Sequence, residues 1–526
     1  MALTESKAGS AAELESAGSP EKQLHDASAT GKMDAINEQM ALDGALAEHH
    51  LTTWQALVKH RKAAAWSMLV SMSVIMRAYD IEITGNFYAL PAFTKQFGAP
   101  VPGHGMQIET EWQVAMSMGP IVGQVVGAWA AAVPMDRWGR KKTLAIYLLL
   151  TTALVFMQVF APNKTVLTVS MYLSGIIWGG YHVLAPTYAS EVLPLRLRGW
   201  FTGYVSLCYV IGQFLQTGIT RGFVNWDNEW AWKTPYAIQW VWPVIILAGL
   251  YWAPESPWWL IRQNRMEDAK MALDKLSSKE SHADNTNILA MMVKTDLYEQ
   301  ELEVGSTYRD VFKGSNLRRL EICSMAFVVQ NFSGNSVGFA TYLFQQVGLS
   351  TENAFNMGIG LNGVGFVGVA LSVFVIQWLG RRRSWLIGIC YCLVVLWVVA
   401  LLCLAPDYRT NEAYSWAQAT LLITMQLMYS LTVSPLAFII SSETPSTKLR
   451  AKTLSITATI NGATYLVITI AGPYLLNPGA SNAGAKIEFL WGGLTLFNTI
   501  WSYYRLPEVI IASFVVPGVS WFIVHF

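Results

Sequence analysis

The amino-acid sequence predicts an all-α membrane protein with twelve transmembrane helices in two pseudo-symmetric halves of six. Three observations support this fold class. About twelve apolar stretches are each long enough to cross the hydrocarbon core of a bilayer as a helix. A basic motif around Arg140 recurs around Arg381, between apolar stretches of the second half. Glu191 and Glu443 follow the two copies at similar distances, which indicates an internal repeat.

The composition of the chain is that of a membrane protein rather than of a soluble domain. Of its 526 residues, 53% are hydrophobic and 13% are charged, whereas about 25% of residues are charged in a typical soluble domain. The net charge of +1 gives no basis for nucleic-acid binding. The five cysteines lie in or beside apolar stretches without the spacing of a metal site, so we interpret them as small packing residues.

Each long apolar stretch is predicted to be a helix, because a helix satisfies its own backbone hydrogen bonds inside lipid. Many of the 22 tryptophans lie near the ends of these stretches, as expected for side chains that favour the membrane interface. The predicted helices cover residues 64–92, 111–134, 143–161, 166–187, 200–220, 236–253, 321–346, 353–379, 384–405, 415–440, 453–475 and 487–504.

The predicted helices divide the chain into five parts. The first part is too polar to fold alone, so we expect a disordered cytosolic tail. The charged segment between the halves is expected to be a cytosolic loop with an amphipathic helix near Met266–Leu276. The parts are 1–62 (N-terminal tail), 63–261 (first half), 262–320 (central loop), 321–508 (second half) and 509–526 (an atypical apolar C-terminal tail). The last part is either membrane-embedded or the product of altered splicing or a shifted reading frame.

Basic residues indicate the orientation of the helices. The short loops on the side of the repeated motif carry about twice as many lysines and arginines as the loops at the other ends of the helices. Such an excess favours the cytoplasmic side, so both termini are predicted to be cytoplasmic in a chain that crosses the cell membrane many times.

Small residues in the second predicted helix form a regular pattern. Gly119, Gly123 and Gly127 recur every four residues. Glycines at this spacing lie on one face and allow a neighbouring helix to approach closely. We interpret them as a packing surface rather than as a ligand site.

The ordered set of motifs resembles the sugar porter family of the major facilitator superfamily, and within it the fungal maltose and α-glucoside permeases. The resemblance extends over about residues 65–508, although each motif alone is weak. The motifs that carry it are Tyr79-Asp80, Asp136-Arg137-Trp138-Gly139-Arg140, Ser190-Glu191 with Arg198, Gly212-Gln213, residues 232–239, Pro254-Glu255, Gln330 with Asn335, Gly380-Arg381-Arg382, and Ser442-Glu443 with Arg450.

The resemblance implies a transporter that moves a sugar, such as an α-glucoside or another disaccharide, across a fungal plasma membrane by alternating access. Its partners would be the small-molecule sugar, protons if transport is coupled, and the lipid bilayer, and the chain would act as a monomer. No nucleophile–base pair or metal-ligand pattern points to an enzyme, and no cofactor is expected.

Uncharged amides are the candidate sugar-binding groups, because an amide both donates and accepts hydrogen bonds, as a sugar hydroxyl does. The resemblance places Gln213, Gln330 and Asn335 at a central sugar site, and Asn362 is a further candidate. The alternative role of an intramembrane amide is a hydrogen bond between helices.

Charged residues beside the repeated motif are the candidate cytosolic gate. The resemblance implies that they form ion-pair clusters that separate when the two halves rock apart. Alternatively, the basic residues serve only to fix the topology. The candidate gate residues are Asp136, Arg137, Arg140, Glu191, Arg198, Arg381, Glu443 and Arg450.

Asp80 is the candidate proton-coupling residue, since an intramembrane carboxyl group can bind and release a proton. Arg77 stands where the resembled permeases carry an acid, three residues before Asp80, and is predicted to be the charge partner of Asp80. Glu82 is nearby but is predicted to face another side of the helix. Met171 and Ala458 also depart from the charged residues of the resembled permeases.

These departures leave three functions open. The chain is a coupled sugar transporter, a weakly coupled or uncoupled one, or a transporter-like sugar sensor in which ligand binding shifts the conformational equilibrium. An exporter of drugs or metabolites with the same fold is the remaining alternative.

Overall fold

The structure of the chain is a computed structural model that describes residues 39–42, 53–101, 105–278, 284–303, 307–333, 339–346, 348–405, 412–445, 449–477 and 486–507. Most of the described chain is helical. A short antiparallel hairpin of β1 (Ala99–Val101) and β2 (Gly105–Gln107) joins the first two membrane-crossing segments.

The helices follow one another through two halves and a central segment. The first half contains α1 (Thr53–Lys59), α2 (Arg61–Phe87), α3 (Pro91–Phe97), α4 (Thr110–Ala130), α5 (Ala132–Trp138), α6 (Arg140–Val159), α7 (Lys164–Val192), α8 (Leu195–Phe223), α9 (Trp230–Ile238) and α10 (Val241–Trp252). The central segment contains α11 (Pro257–Arg262), α12 (Met266–Leu276), α13 (Asp284–Glu303) and α14 (Tyr308–Val311). The second half contains α15 (Gly314–Phe332), α16 (Ala340–Gln346), α17 (Thr351–Leu379), α18 (Arg381–Leu402), α19 (Glu412–Leu431), α20 (Val433–Glu443), α21 (Arg450–Leu476) and α22 (Ile487–Arg505).

From the order and lengths of the described helices, we assign twelve crossings of the bundle, six in each half. The crossings are α2, α4–α5, α6, α7, α8, α9–α10, α15–α16, α17, α18, α19–α20, α21 and α22. Six stretches of the described chain are long and apolar enough to span a membrane by length and composition alone. The first crossing, α2, is not among them because it carries Arg77, Asp80 and Glu82.

Capping side chains mark the starts of several helices. The Asn163 side chain accepts a hydrogen bond from the Val166 N–H at 2.9 Å at the start of α7. Ser350 does the same for the Asn353 N–H at 3.3 Å at the start of α17. Such side chains satisfy backbone donors that have no partner within the helix.

The bundle has two faces that differ in their residues. The motif face carries Arg140, Glu191, Arg381 and Glu443, and the opposite face carries the ends of α2 and α8 and the start of α17. At the opposite face, one hydrophobic core contains side chains of both halves, among them Tyr88 and Tyr342. At the motif face, each half has a core of its own. The two halves therefore pack together at the opposite face.

Polar contacts between the halves reinforce the closure of the opposite face. Arg221 on α8 donates to Asn356 Oδ1 on α17 at 2.8 Å and forms an ion pair with Glu352. The Asn477 amide donates to the carbonyl oxygen of Ile108 at 2.9 Å. These contacts close over the central region of the bundle.

The glycine pattern on α4 is confirmed as a packing surface. A Cβ atom at Gly123 would lie 2.4 Å from the carbonyl oxygen of Tyr172, and one at Gly127 would lie 1.8 Å from that of Ile176. Gly175 and Gly179 on α7 meet α4 in the same way. The α4 and α7 backbones thus touch along a seam that admits no side chain.

Two boundaries predicted from the sequence need correction. Residues 53–59 of the expected disordered tail form α1, because Ala56 packs fully buried against the core of the first half. The expected central loop 262–320 contains α13, α14 and the first turns of α15. The amphipathic helix is confirmed at Met266–Leu276. The apolar segment 509–526 lies outside the described residues.

Candidate functional site

A polar stripe on α8 forms the centre of the molecule. Tyr209, Gln213, Thr217 and Arg221 recur every four residues, so they share one face of the helix. This face lies against α2 of the same half and α17 of the other half. Gly212 allows the close approach of α2, because a Cβ atom there would lie 2.3 Å from the carbonyl oxygen of Ile75.

Glu82 is the acidic group of this stripe. Its side chain is buried, and Gln213 Nε2 donates to its Oε2 at 3.2 Å. The Asn362 amide from α17 also lies within hydrogen-bonding reach of the carboxyl group. Gln213 and Asn362, two of the predicted sugar-binding amides, therefore meet at one carboxyl group that the sequence analysis left without a role.

Thr217 links the two halves by hydrogen bonds. Its Oγ1 accepts from Asn86 Nδ2 at 3.1 Å and from Asn362 Nδ2 at 3.0 Å. Its hydroxyl donates to the Gln213 carbonyl oxygen at 3.1 Å. One hydroxyl group thus forms hydrogen bonds with residues of α2 and α8 in the first half and of α17 in the second.

We expect Thr217→Val to lower the free energy of unfolding by about 1–3 kcal/mol, because the isosteric change removes the acceptor that the buried Asn86 and Asn362 amides share. The measurement is the thermal midpoint of the detergent-solubilised protein. Thr499→Val is the matched control, because the hydrogen bond described for the Thr499 hydroxyl stays within its own helix, to the Thr495 carbonyl oxygen at 2.7 Å. Equal effects of the two substitutions would contradict the bridging role of Thr217.

Arg77, which lies on α2, packs over the ring of Tyr209, the first residue of the polar stripe on α8. Its guanidinium carbon lies 5.5 Å from the centre of the Tyr209 ring. Nη2 donates to Gln124 Oε1 at 2.8 Å, and Nη1 lies 3.3 Å from His182 Nδ1. Tyr465 of the second half interacts with it electrostatically. Arg77 therefore faces the space between the halves.

Gln330 lies on the wall formed by the second half. Its Nε2 donates to the backbone carbonyl oxygen of Ser434 at 3.4 Å. The backbone carbonyl oxygen of Gln330 accepts from the Tyr429 hydroxyl at 3.1 Å. Tyr429 is close enough to Tyr209 to interact electrostatically. Asn335, the other amide predicted on this segment, lies outside the described residues.

Buried and half-buried side chains from both halves surround the space between the halves, which we call the central chamber. They combine amides, phenols, an imidazole, a carboxyl group and a guanidinium that forms no ion pair among the described residues, which suits a ligand rich in hydroxyl groups. The chamber residues are Arg77, Glu82, Gln124, His182, Tyr209, Gln213, Gln330, Asn362, Tyr429 and Tyr465.

Asp80 lies in a separate site inside the first half. Its Oδ1 accepts from Gln239 Nε2 at 2.9 Å, and the Gln158 amide also lies within hydrogen-bonding reach of the buried carboxyl group. The predicted pairing of Asp80 with Arg77 does not occur in the described structure. Arg77 instead turns toward Gln124 and His182, which lie on α4 and α7, whereas Gln239 follows α9.

The motif face of the first half is built around a buried arginine. Arg140 is 3% exposed and forms a bidentate pair with Glu191, with Nε–Oε2 at 2.9 Å and Nη2–Oε1 at 2.8 Å. Its Nη1 donates to the Met135 carbonyl oxygen at 3.0 Å and lies 3.6 Å from the exposed Asp136 carboxylate. Arg137 is exposed. The contacts described for Arg140 lie within the first half.

A second carboxylate, that of Glu255, lies against the N-terminal end of α6. Glu255 accepts from the backbone N–H groups of Arg140 at 3.0 Å and Lys141 at 3.2 Å. Burial raises the pKa of the Glu255 carboxyl group, and these backbone hydrogen bonds oppose the rise. Gly139 has φ +89°, a conformation that favours glycine, and its equivalent Gly380 has φ +82°.

The motif face of the second half repeats this arrangement more loosely. Arg381 Nη2 lies 3.5 Å from Glu443 Oε1, and the two side chains are 26% and 18% exposed. The predicted gate residues Arg198 and Arg450 lie in the first turns of α8 and α21. Their side chains are outside the described part of the structure.

The sequence reasoning missed Glu82, Asn86, Thr217 and Tyr209 as parts of the central site. The four-residue spacing from Tyr209 to Arg221 was a signal that could have identified the stripe on α8. The approach of Asn362 to that stripe depends on contact between the halves, for which a single helix pattern gives no signal.

Comparisons with known proteins agree with this architecture. Residues 66–516 match the family described as "Sugar (and other) transporter". The general α-glucoside permease of Saccharomyces cerevisiae is 31% identical over 486 residues, which cover 90% of this chain and 78% of the permease. A maltose permease of the same yeast is 32% identical over 495 residues, with 92% and 80% covered.

Solved structures share the fold at low sequence identity. The xylose transporter XylE from E. coli, in a partially occluded inward-open conformation, gives a TM-score of 0.67 at 15% identity, covering 85% of this chain and 100% of that one. The POT family transporter PepTSo gives a TM-score of 0.59 at 12% identity, covering 85% of this chain and 97% of that one. The chain is thus a multi-pass membrane protein with the fold of the major facilitator proteins, and it belongs to the family described as "Sugar (and other) transporter".

Proposed function

We propose that this protein carries an α-glucoside or another disaccharide across the cell membrane by alternating access, as a monomer. The observation that carries the proposal is the chamber, in which Gln213, Asn362 and Gln330 present amide groups from both halves. Amides suit sugar hydroxyls because both groups donate and accept. The two yeast relatives, named as α-glucoside and maltose permeases, support this substrate class.

The motif face is proposed to be cytoplasmic, with both termini on that side. The excess of basic residues in its loops supports this orientation. Because the halves share their core at the opposite face, this conformation would be open toward the cytoplasm. The gate is proposed to consist of the ion-pair residues of the motif face, with Arg198 and Arg450 completing it when the halves close there.

Asp80 is proposed to bind the coupling proton. It is buried inside the first half, and its described hydrogen bond comes from the neutral amide of Gln239 rather than from Arg77. A buried carboxyl group without a cationic partner can change protonation without breaking an ion pair. This arrangement supports coupled transport over the uncoupled alternative.

Uptake of radiolabelled maltose by yeast cells that lack their own α-glucoside transporters tests the proposed function, with the pH of the medium recorded. Saturable uptake with alkalinisation is expected. Normal surface expression without uptake would favour the sensor, and competition by hydrophobic drugs rather than sugars would favour the exporter.

We expect Gln213→Ala to raise the half-saturating maltose concentration about tenfold, because the chamber loses an amide that donates and accepts. Gln263→Ala is the control, since Gln263 is exposed on the central segment and donates to the Asp136 carbonyl oxygen at 3.2 Å. If both variants transported maltose like the parent protein, Gln213 would have no part in sugar binding.

A further inference from the structure

Arg77 is a buried cation without an acidic partner in the described structure. Its contacts are the Gln124 amide oxygen, the His182 ring and the face of Tyr209, and none of these groups is a carboxylate. The groups that interact with it electrostatically are the phenols of Tyr209 and Tyr465. An intramembrane charge of this kind is costly unless a compensating group reaches it.

The Arg77 guanidinium retains unused hydrogen-bond donors. A guanidinium has five N–H groups, and the described contacts engage only Nη1 and Nη2. Nε is buried and has no hydrogen-bond partner. The Nε and Nη groups along one edge of a guanidinium match the two oxygens of a carboxylate. The Nε group of Arg77 and the second N–H of each Nη group are therefore donors that an anionic ligand could use.

Arg77 borders the sugar chamber through its contact with Tyr209. Tyr209, over which it lies, precedes Gln213 by one helical turn on α8. Glu82 follows Arg77 by five residues on α2, which corresponds to about 7.5 Å along the helix axis. The chamber thus has a cationic end at Arg77 and an acceptor-rich end at Glu82.

We propose that the chamber receives a carboxylated saccharide, whose carboxylate binds Arg77 and whose hydroxyl groups reach Glu82 and Gln213. The inference rests on the proposed function and narrows its substrate class. A neutral sugar gives the Arg77 guanidinium no ion-pair partner, and an amino sugar would add a second cation to the chamber. An acidic saccharide supplies the missing charge and offers hydroxyl donors to the carboxyl oxygens of Glu82.

Competition between two matched compounds tests the inference in cells that take up radiolabelled maltose. Maltobionate and maltitol share the glucosyl unit and an open polyol chain. Maltobionate carries a terminal carboxylate where maltitol carries a hydroxymethyl group. Maltobionate is expected to inhibit maltose uptake at a concentration about tenfold lower than maltitol does. Equal or weaker inhibition by maltobionate would overturn the inference while the proposed function stood.

Variants of Arg77 connect this preference to the residue. Arg77→Gln is expected to remove the tenfold preference for maltobionate, and Arg77→Lys to restore only part of it, because lysine keeps the charge but not the planar fork. Arg265→Gln is the matched control on the central segment, where Arg265 pairs with Asp268. A preference that survives Arg77→Gln in a normally expressed protein would exclude Arg77 as the receptor.

A binding measurement separates the inference from transport and from the folding of variants. The purified parent protein is heated with maltobionate, with maltitol or with neither. A larger rise of the thermal midpoint with maltobionate supports the carboxylate site even where cells take up no maltose, and equal shifts refute it.

Discussion

Glu191→Ala is expected to lower the free energy of unfolding by about 3–5 kcal/mol, the cost of removing one partner from a buried ion pair. Arg140 is 3% exposed, and Glu191 satisfies both its Nε and Nη2 groups. After the substitution, the guanidinium retains the Met135 carbonyl oxygen and an Asp136 carboxylate 3.6 Å away. The protein would then hold a buried cation with too few acceptors.

The thermal midpoint of the detergent-solubilised protein, followed by size-exclusion chromatography, measures this loss. Glu443→Ala in the second half is the matched comparison. Its effect is expected to be nearer about 1 kcal/mol, because Arg381 and Glu443 are 3.5 Å apart and more exposed. A larger loss for Glu443→Ala than for Glu191→Ala would show that the described difference between the halves does not govern stability.

Gly127→Ala is expected to reduce stability by about 1–3 kcal/mol or more, because the added methyl group overpacks a backbone contact. A Cβ atom at this position would lie 1.8 Å from the carbonyl oxygen of Ile176. A carbonyl oxygen cannot turn away as the end of a flexible side chain can, so α4 and α7 would have to separate. The yield of monodisperse protein and its thermal midpoint are the readouts.

Gly218→Ala is the control for this substitution. Gly218 lies within α8, and a Cβ atom there meets nothing within 4 Å. Alanine is favoured over glycine in a helix interior by roughly 0.5–1 kcal/mol, so this variant is expected to be neutral or slightly stabilised. Comparable losses in the two variants would refute the steric explanation.

The sequence predicted features that depend on local patterns or on the repeat. The four-residue spacing of Gly123 and Gly127 identified the α4 seam, and charge and apolar spacing identified α12. Gly139 and Gly380 occupy equivalent positions of the repeat, and both have a positive φ angle. These features follow from a few neighbouring residues, so a sequence pattern contains the information that they require.

Features that depend on neighbouring helices were beyond such patterns. Arg77 and Asp80 are three residues apart, which predicted an ion pair, but Gln124 and His182 draw one side chain to the chamber while Gln239 holds the other inside the first half. Glu82 was set aside as facing away from Asp80. It faces away from Asp80 because it faces Gln213, a contact fixed by the packing of α2 against α8.

The hydrophobic core that both halves share near the ends of α2 and α16 has a kinetic consequence. A carrier that leaves this conformation must separate Tyr88 from Tyr342 and the side chains around them. Exposing this apolar surface to water costs free energy. When the chamber is empty, no ligand offsets that loss. Reorientation of the unloaded protein is therefore expected to limit the turnover rate, and exchange of one bound molecule for another avoids that step.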